Sequence, residues 1–412
     1  MTSTLTGPTA TTGAPPRTGL LITVLAGLTA VAPLATDMYV PAFPEMTGSL
    51  GATSSGIQLS MTAFLIGLVI GQLVIGPISD GHGRRRLLLG GSALFAVFSL
   101  LCAVAPTIQV LTVARLLEGL TGAAGMVIAR AVLTDRFHGA DVARHFAVLS
   151  MIIGVAPVAA PVIGGFIATA FSWRAVFVTL ALFGVLLLLA VWRFVPESLP
   201  AEHRHPGGIG AAFRVMAGLT RNRPFMGYVL VLGFASAALF AYISGSSFVF
   251  QDVYGASATA YSLIFAVNAV AILIASGLLG VLSRHLPLIR LLSLGVGIAV
   301  LATLAQAAID LTVGGTLAST WICLFVTMFG MGLTITSCYT LGQGAARHAA
   351  GGASAMLGGA QFLLGAAVSP LVGLFGETSP TPMAVIMALG FLGSLAMLLL
   401  LVRPRQLRPT AP

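Results

Sequence analysis

Three charged residues stand deep inside long apolar runs of this chain and could carry chemistry there: Asp37, Arg115 and Glu118. A carboxyl group in hydrocarbon is expensive, about 3 kcal/mol on insertion scales. Burial favours its neutral form, whereas a nearby cation favours the ionised one. Asp37 lies in Ala35-Thr36-Asp37-Met38-Tyr39-Val40-Pro41-Ala42-Phe43-Pro44, about five residues or about 8 Å from the end of its run at the helical rise. Arg115 lies about seven residues, or about 10 Å, from the same-side end of another run. Glu118, three residues on, shares the helical face of Arg115. The matching depths predict one buried polar cluster able to take up and release a proton. Two plainer readings stay open. Asp37 is then a helix-end acid among lipid headgroups, and Arg115 with Glu118 a fixed ion pair that sets helix packing.

The elements that must position these residues are membrane spans. Of 412 residues, 57% are hydrophobic and 8% charged, against about 25% charged in soluble domains. Twelve apolar runs, at 20–42, 57–79, 86–105, 108–132, 146–171, 175–195, 225–250, 260–282, 288–309, 317–341, 352–376 and 382–402, are each long enough to cross about 30 Å of hydrocarbon. Every basic residue other than histidine is arginine. With the N-terminus in the cytoplasm, eighteen of the twenty arginines fall in cytoplasmic loops, tails or adjoining helix ends. Arg174 lies outside and Arg115 within the membrane. The positive-inside rule then gives twelve spans of an inner or plasma membrane protein, with both termini cytoplasmic. The net charge of +9 does not imply nucleic acid, because the arginines are scattered over many short loops. Cys102, Cys323 and Cys338 lie inside spans without a CxxC pair, so neither a disulfide framework nor a metal site is expected. Residues 1–18, rich in Thr, Pro and Gly, are expected to be a disordered cytoplasmic tail. The run that follows imitates a signal peptide but reads as the first span.

The longest polar stretch, 196–223, divides the chain into 19–195 and 224–402, six spans each, followed by a short tail at 403–412. The halves echo one another. Gly76-Pro-Ile-Ser79-Asp80 parallels Gly280-Val-Leu-Ser283-Arg284, and Pro161-Val-Ile-Gly164 parallels Pro370-Leu-Val-Gly373, at offsets of 204 and 209 residues. Duplicated six-span bundles usually hold their substrate between the halves, near the bilayer midplane.

Two further motifs belong to the first half. Between spans two and three stands Gly76-Pro77-Ile78-Ser79-Asp80-Gly81-His82-Gly83-Arg84-Arg85-Arg86. Gly76 permits close helix contact, Gly83 a sharp turn, and Asp80 can cap a helix or pair with Arg84 or Arg85. A charged positive-inside turn is the plainer reading. Span five carries Gly154-Val-Ala-Pro157-Val-Ala-Ala-Pro161-Val-Ile-Gly164-Gly165, where small residues let helices approach and prolines permit bending.

The first motif resembles the signature loop of the major facilitator superfamily, with Ile78 in the usual leucine position. The second is similar to that superfamily's antiporter motif, with Ala160 in place of the glycine before the proline. Together with Arg115-Leu-Leu-Glu118-Gly119, Trp173-Arg174-Ala-Val-Phe177, the Phe240–Gln251 segment, Phe265-Ala-Val-Asn268 and Gly352–Gly365, they resemble the Bcr/CflA branch of twelve-span drug:proton antiporters over nearly the whole chain. The resemblance implies an all-α membrane protein of the major facilitator fold, its twelve helices in two six-helix bundles. It implies proton-driven export of bicyclomycin-, chloramphenicol- or sulfonamide-like compounds, with Asp37 and Arg115 in coupling and the loop after span two latching the halves. Glu118 departs from the branch, where glutamine is usual, and adds a second candidate acid.

The second half shows no acid or arginine deep in a predicted span. Its polar candidates are Tyr242, Ser244, Ser246, Ser247, Asn268, Gln306, Tyr339 and Gln361. Of these Tyr242, Asn268 and Gln361, with Tyr39 of span one, are the candidate substrate contacts, although helix packing is the commoner role of such residues. An apolar half suits a small lipophilic substrate. The expected partners are that substrate, protons and the bilayer, with no nucleic acid and no cofactor beyond a proton gradient, for a monomer. The rival in transport is a proton-coupled carrier of a neutral metabolite such as a sugar or amino acid. An enzyme is not expected, because no nucleophile–base pair, metal cluster or phosphate loop is visible.

Overall fold

The computed structural model describes residues 18–137, 140–200, 202, 204, 208–375 and 379–403. The expected tails therefore lie outside the described residues, apart from Thr18 and Arg403. Helices carry the chain: α1 (Thr18–Asp37), α2 (Phe43–Leu50), α3 (Ser54–His82), α4 (Arg84–Ala103), α5 (Ile108–Arg136), α6 (Ala140–Ala170), α7 (Trp173–Phe194), α8 (Gly208–Leu219), α9 (Arg223–Phe248), α10 (Ala258–Leu282), α11 (Leu288–Thr312), α12 (Leu317–Ala345), α13 (Ala350–Val368), α14 (Leu371–Leu374) and α15 (Thr381–Met397). Among the described residues, twelve segments are long and apolar enough to cross a membrane; α1 with α2, and α13 with α14, each form one of them. The connection between the halves and the start and end of the helical bundle share one face, the near face. The opposite face is the far face.

The helix boundaries follow from local chemistry. Thr53, Thr107, Asn222, Ser257 and Thr316 each accept a backbone N–H of the first turn they precede, which satisfies donors the helix leaves free. Gly83 ends α3 with φ of +93°, a conformation costly for any residue with a Cβ. Pro370 has no backbone N–H and breaks the eleventh span between α13 and α14.

The packing pattern of the first six spans recurs in the last six. In the first half α3 packs on α5, α4 on α5 and α7, and α1 on α5, α6 and α7. In the second half α10 packs on α12, α11 on α12 and α15, and α9 on α12, α13 and α15. The halves meet through α6 against α10 and α3 against α13, positions that exchange under a pseudo-two-fold axis. The polar stretch expected as a loop contains α8. Its Met216 and Leu219 are buried, and the helix packs across α3 and α13, tying the connection to both halves.

Candidate functional site

The expected three-residue cluster is split. Arg115 donates to Glu118 Oε2 at 2.7 Å, and both side chains are fully buried. Glu118 also accepts from Ser99 Oγ at 2.7 Å and from the Cys102 thiol at 3.7 Å. The Arg115 guanidinium lies over the rings of Tyr39 and Phe64, 4.4 and 4.1 Å from their centroids. Its Nε and Nη2 have no hydrogen-bond partner, so aromatic faces take the place of a second acid. Asp37 is not part of this group. One of its carboxylate oxygens is buried without a hydrogen-bond partner, and no ion pair joins it to Arg115. The reason is local: α1 ends at Asp37, and in the bend that follows Tyr39 takes the side toward Arg115. Tyr39, expected to line a substrate cavity, is instead packed inside the first bundle against Arg115, Phe43 and Phe177.

Asp37 faces the second half. It lies within electrostatic range of the hydroxyls of Tyr242 and Tyr261. Tyr242 accepts from Asn268 Nδ2 at 3.1 Å and stacks on Phe265, while Tyr261 shares a 2.9 Å hydrogen bond with Ser246. Asn268 keeps a buried, unpartnered Oδ1. Tyr242 and Asn268 are thus gathered opposite Asp37 on α9 and α10. Gln361 lies elsewhere, where it accepts from the Tyr339 hydroxyl at 3.0 Å.

The motif of span five holds this junction together. A methyl group at Gly164 would run into the backbone carbonyl of Met38, next to Asp37, and one at Gly165 into the Ser262 hydroxyl of α10. Gly154 faces Leu273 of α10. Pro157 and Pro161 lie within α6, which continues from Ala140 to Ala170. Ala160 is fully buried, so its methyl fits where the resemblance would place glycine.

The loop after span two forms a second site on the near face. Arg84 pairs with Asp80 at 2.5 Å and with Asp135 of α5 at 3.2 Å, and donates to Ser79. Glu197, just beyond α7, accepts the first amides of α4, Arg84 N at 2.8 Å and Arg85 N at 3.2 Å. Arg85 also donates to the Trp192 carbonyl at 2.7 Å. Burial pushes the Glu197 carboxyl up, but amides from Leu199, Arg84 and Arg85 and the nearby Arg204 outweigh it and hold it below its ordinary value. Gly83 has no room for a side chain because Glu197 fills the space. Gly76 lies against Val127 of α5. The resemblance implied a latch between the halves. Among the described residues, these bonds join α3, α4 and α5 of the first half to the start of the connection after α7. Asp135 and Glu197 were missed in the sequence, where each reads as an ordinary acid at a basic helix end.

The halves are fastened at the far face. Gln58 Nε2 donates to the Ser244 carbonyl at 3.1 Å, and Gly373 N donates to Gln58 Oε1 at 2.9 Å. Ser55 Oγ donates to the Pro370 carbonyl, Thr62 Oγ1 to Ala366 and Gln251 Nε2 to Pro41. One acid of the second half also escaped the sequence reading. Asp310 stands in the last turn of α11, half-buried, with both carboxylate oxygens unpartnered. The predicted span stopped at 309, one residue short of it.

The arrangement is that of two pseudo-symmetric helical bundles meeting at an interface beside Asp37. A family model described as Major Facilitator Superfamily matches residues 25–370. The chain belongs to this superfamily. It is 42% identical over 381 residues to the uncharacterized MFS-type transporter YdgK of Bacillus subtilis, covering 92% of this chain and 94% of that protein. It is 30% identical over 259 residues to a bicyclomycin resistance protein homolog of Haemophilus influenzae, covering 63% and 65% of the two chains. Multidrug resistance protein D of Escherichia coli K12 is 29% identical, over 60% and 61% of the chains. A partially occluded inward-open structure of the xylose transporter XylE of E. coli superposes with a TM-score of 0.73 at 14% identity, covering 92% and 96% of the chains. That likeness concerns the fold alone. The chain is therefore a multi-pass inner-membrane transporter, not an enzyme.

Proposed function

We propose that this transporter exports small lipophilic compounds, of the bicyclomycin or chloramphenicol kind, in exchange for protons by alternating access. The observation that carries the reading is Asp37: a buried carboxyl, without an ion-pair partner, at the junction of the halves and facing Tyr242 and Tyr261. Such a group can bind a proton from one side and lose it to the other as the halves rock. Ionised Asp37 favours the drug-loaded inward-facing form, and protonation favours release, so proton and drug compete through their linkage. The names of relatives such as multidrug resistance protein D and the chloramphenicol resistance protein of Pseudomonas aeruginosa support the substrate class. The near face is cytoplasmic by the distribution of arginines, which puts both termini inside.

The test uses purified protein in liposomes with an imposed pH gradient, reading accumulation of radiolabelled chloramphenicol. Wild-type protein should build an uphill drug gradient. Asp37→Asn should bind drug yet build none. Uphill accumulation by the Asp37→Asn protein would exclude Asp37 as the essential carrier.

A further inference from the structure

We infer that Arg130, with Tyr339, Gln361 and Gln72, forms a docking site for the anionic head of a lipophilic compound at the near-face end of the seam between the halves. The inference deepens the export reading and rests on it for the direction of movement, but not for binding itself.

Arg130 stands on α5 six residues before the helix ends at Arg136, about 9 Å in from the near face. By sequence it is one more arginine that fixes membrane orientation. Its surroundings are different from those of such an anchor. It is half-buried, and among the described residues its side chain has no ion pair. Asp135, one turn away, is occupied by Arg84 and Ser198. Arg130 lies within electrostatic range of the Tyr339 hydroxyl of α12, in the opposite half. Met126, one turn earlier on the same face of α5, meets Gln72 of α3 beside Gly358 of α13, which turns that face toward the opposite half.

The neighbours converge from four spans. Tyr339 is six residues from the end of α12 at Ala345, about 9 Å deep, level with Arg130. Its hydroxyl donates to Gln361 Oε1 on α13, and among the described residues no hydrogen bond from the Gln361 amide N–H groups is seen. On α3, Gln72 donates to the sulfur of Met126 at 3.5 Å. Met126 and Arg130 are four residues apart on α5 and share a face. A Cβ at Gly358 would lie 3.0 Å from Gln72 Oε1 and 3.8 Å from the Tyr339 hydroxyl, so the absent side chain leaves α3, α12 and α13 facing one another there.

This set offers one fixed positive charge and uncommitted amide donors, with no acid to compete. A carboxylate matches it: the guanidinium supplies two parallel N–H donors and the amide of Gln361 a third. A partly desolvated arginine without a counter-ion is costly, and a bound anion would relieve that cost. Neutral compounds gain nothing from the charge, so the site should discriminate by ligand charge.

The experiment is equilibrium dialysis of radiolabelled nalidixate, a lipophilic carboxylate, and of neutral chloramphenicol, against the full chain in phosphatidylcholine nanodiscs. The uncharged lipid surface removes anionic headgroups as competitors. Arg130→Gln should weaken nalidixate binding about tenfold or more, the scale of a lost charge-assisted pair, and leave chloramphenicol binding within about twofold. Arg130→Lys should retain most of the preference, and Tyr339→Phe should lose part of it. Thermal unfolding of each variant reports its folding. Equal nalidixate affinity for wild type and a folded Arg130→Gln would overturn the site, as would absence of saturable nalidixate binding to wild type. Parallel loss of both ligands in Arg130→Gln would mark a structural role and overturn it too. If Arg130→Gln does not fold, unchanged nalidixate affinity in both Arg130→Lys and Tyr339→Phe counts against it. Failure of the export reading would show separately, as no pH-driven drug accumulation by wild-type protein, and would leave the dialysis result standing.

Discussion

The Thr62 hydroxyl donates to the Ala366 carbonyl across the two halves at 2.9 Å. That carbonyl is the one a helix would normally pair with the N–H of residue 370, and residue 370 is proline. The first half thus supplies the donor that Pro370 removes from the second. Pro370 and Ser369 offer two further carbonyls next to the break, which accept from Ser55 and Ser244. The Ala366 and Pro370 carbonyls at this break are points that the first bundle can clasp and release, because water can replace each side-chain donor when the far face opens.

Thr62→Val should therefore favour opening of the far face. It leaves a buried carbonyl without a partner, worth about 1–3 kcal/mol in the closed form and little in the hydrated open form. Gln58→Leu should act more strongly, since it orphans both the Ser244 carbonyl and the Gly373 amide. Spin labels at Ala52 and Ser379 in a cysteine-free background would report the separation by pulsed electron resonance. Longer distances are expected in both variants, and an unchanged distribution would remove the clasp from the cycle.

Glu118 is expected to be structural. Its carboxylate is held by Arg115, Ser99 and Cys102 in a fully buried pocket. Glu118→Gln should keep pH-driven export while lowering the unfolding temperature. Glu118→Ala should cost about 3–5 kcal/mol, because Arg115 is left as an uncompensated buried charge. Loss of coupling in Glu118→Gln with binding and folding intact would make it a second proton carrier.

The two glycines of span five should differ in what they tolerate. Gly165→Ala meets a hydroxyl that can rotate away, whereas Gly164→Ala meets the backbone of Met38, which cannot. Export by Gly165→Ala should remain measurable, and export by Gly164→Ala should fall severely, with the bend after Asp37 displaced. Equal activity of the two would show that α6 shifts freely at this point.

The fold was legible because hydrocarbon imposes it: apolar length, arginine placement and a central polar stretch leave few alternatives to twelve spans. The motifs were legible where spacing carries the physics, as in Gly83, whose positive φ follows from the sharp turn between α3 and α4. Contacts between spans were not. The depth of Asp37 could be counted along its helix, but its direction could not, nor that α1 ends there and a bend brings Tyr39 to Arg115 instead. Glu197 and Gln58 were silent for another reason. Each acts by satisfying backbone groups brought near by tertiary packing, and such partners leave no periodic or spaced signal.

Glu197 leads to a pH-dependent expectation. Its carboxyl caps the first turn of α4 and accepts from its own following loop, so the ionised form is the one the fold prefers. A carboxyl held below its ordinary value adds stability that is fully present above that value and is lost as pH falls through the folded one. The contribution should thus be complete at neutral pH and fade below the ordinary glutamate value of about 4.3. Glu197→Gln should cost about 1 kcal/mol at neutral pH, the worth of a helix cap. The gap between wild type and variant should close as the solution is acidified, since protonated Glu197 loses the same advantage. Thermal unfolding of the purified protein from pH 7 down to about 3.5 reads this directly, the range being set by that ordinary value. A gap that stays constant with pH would mean that shape rather than charge holds α4 to the end of α7.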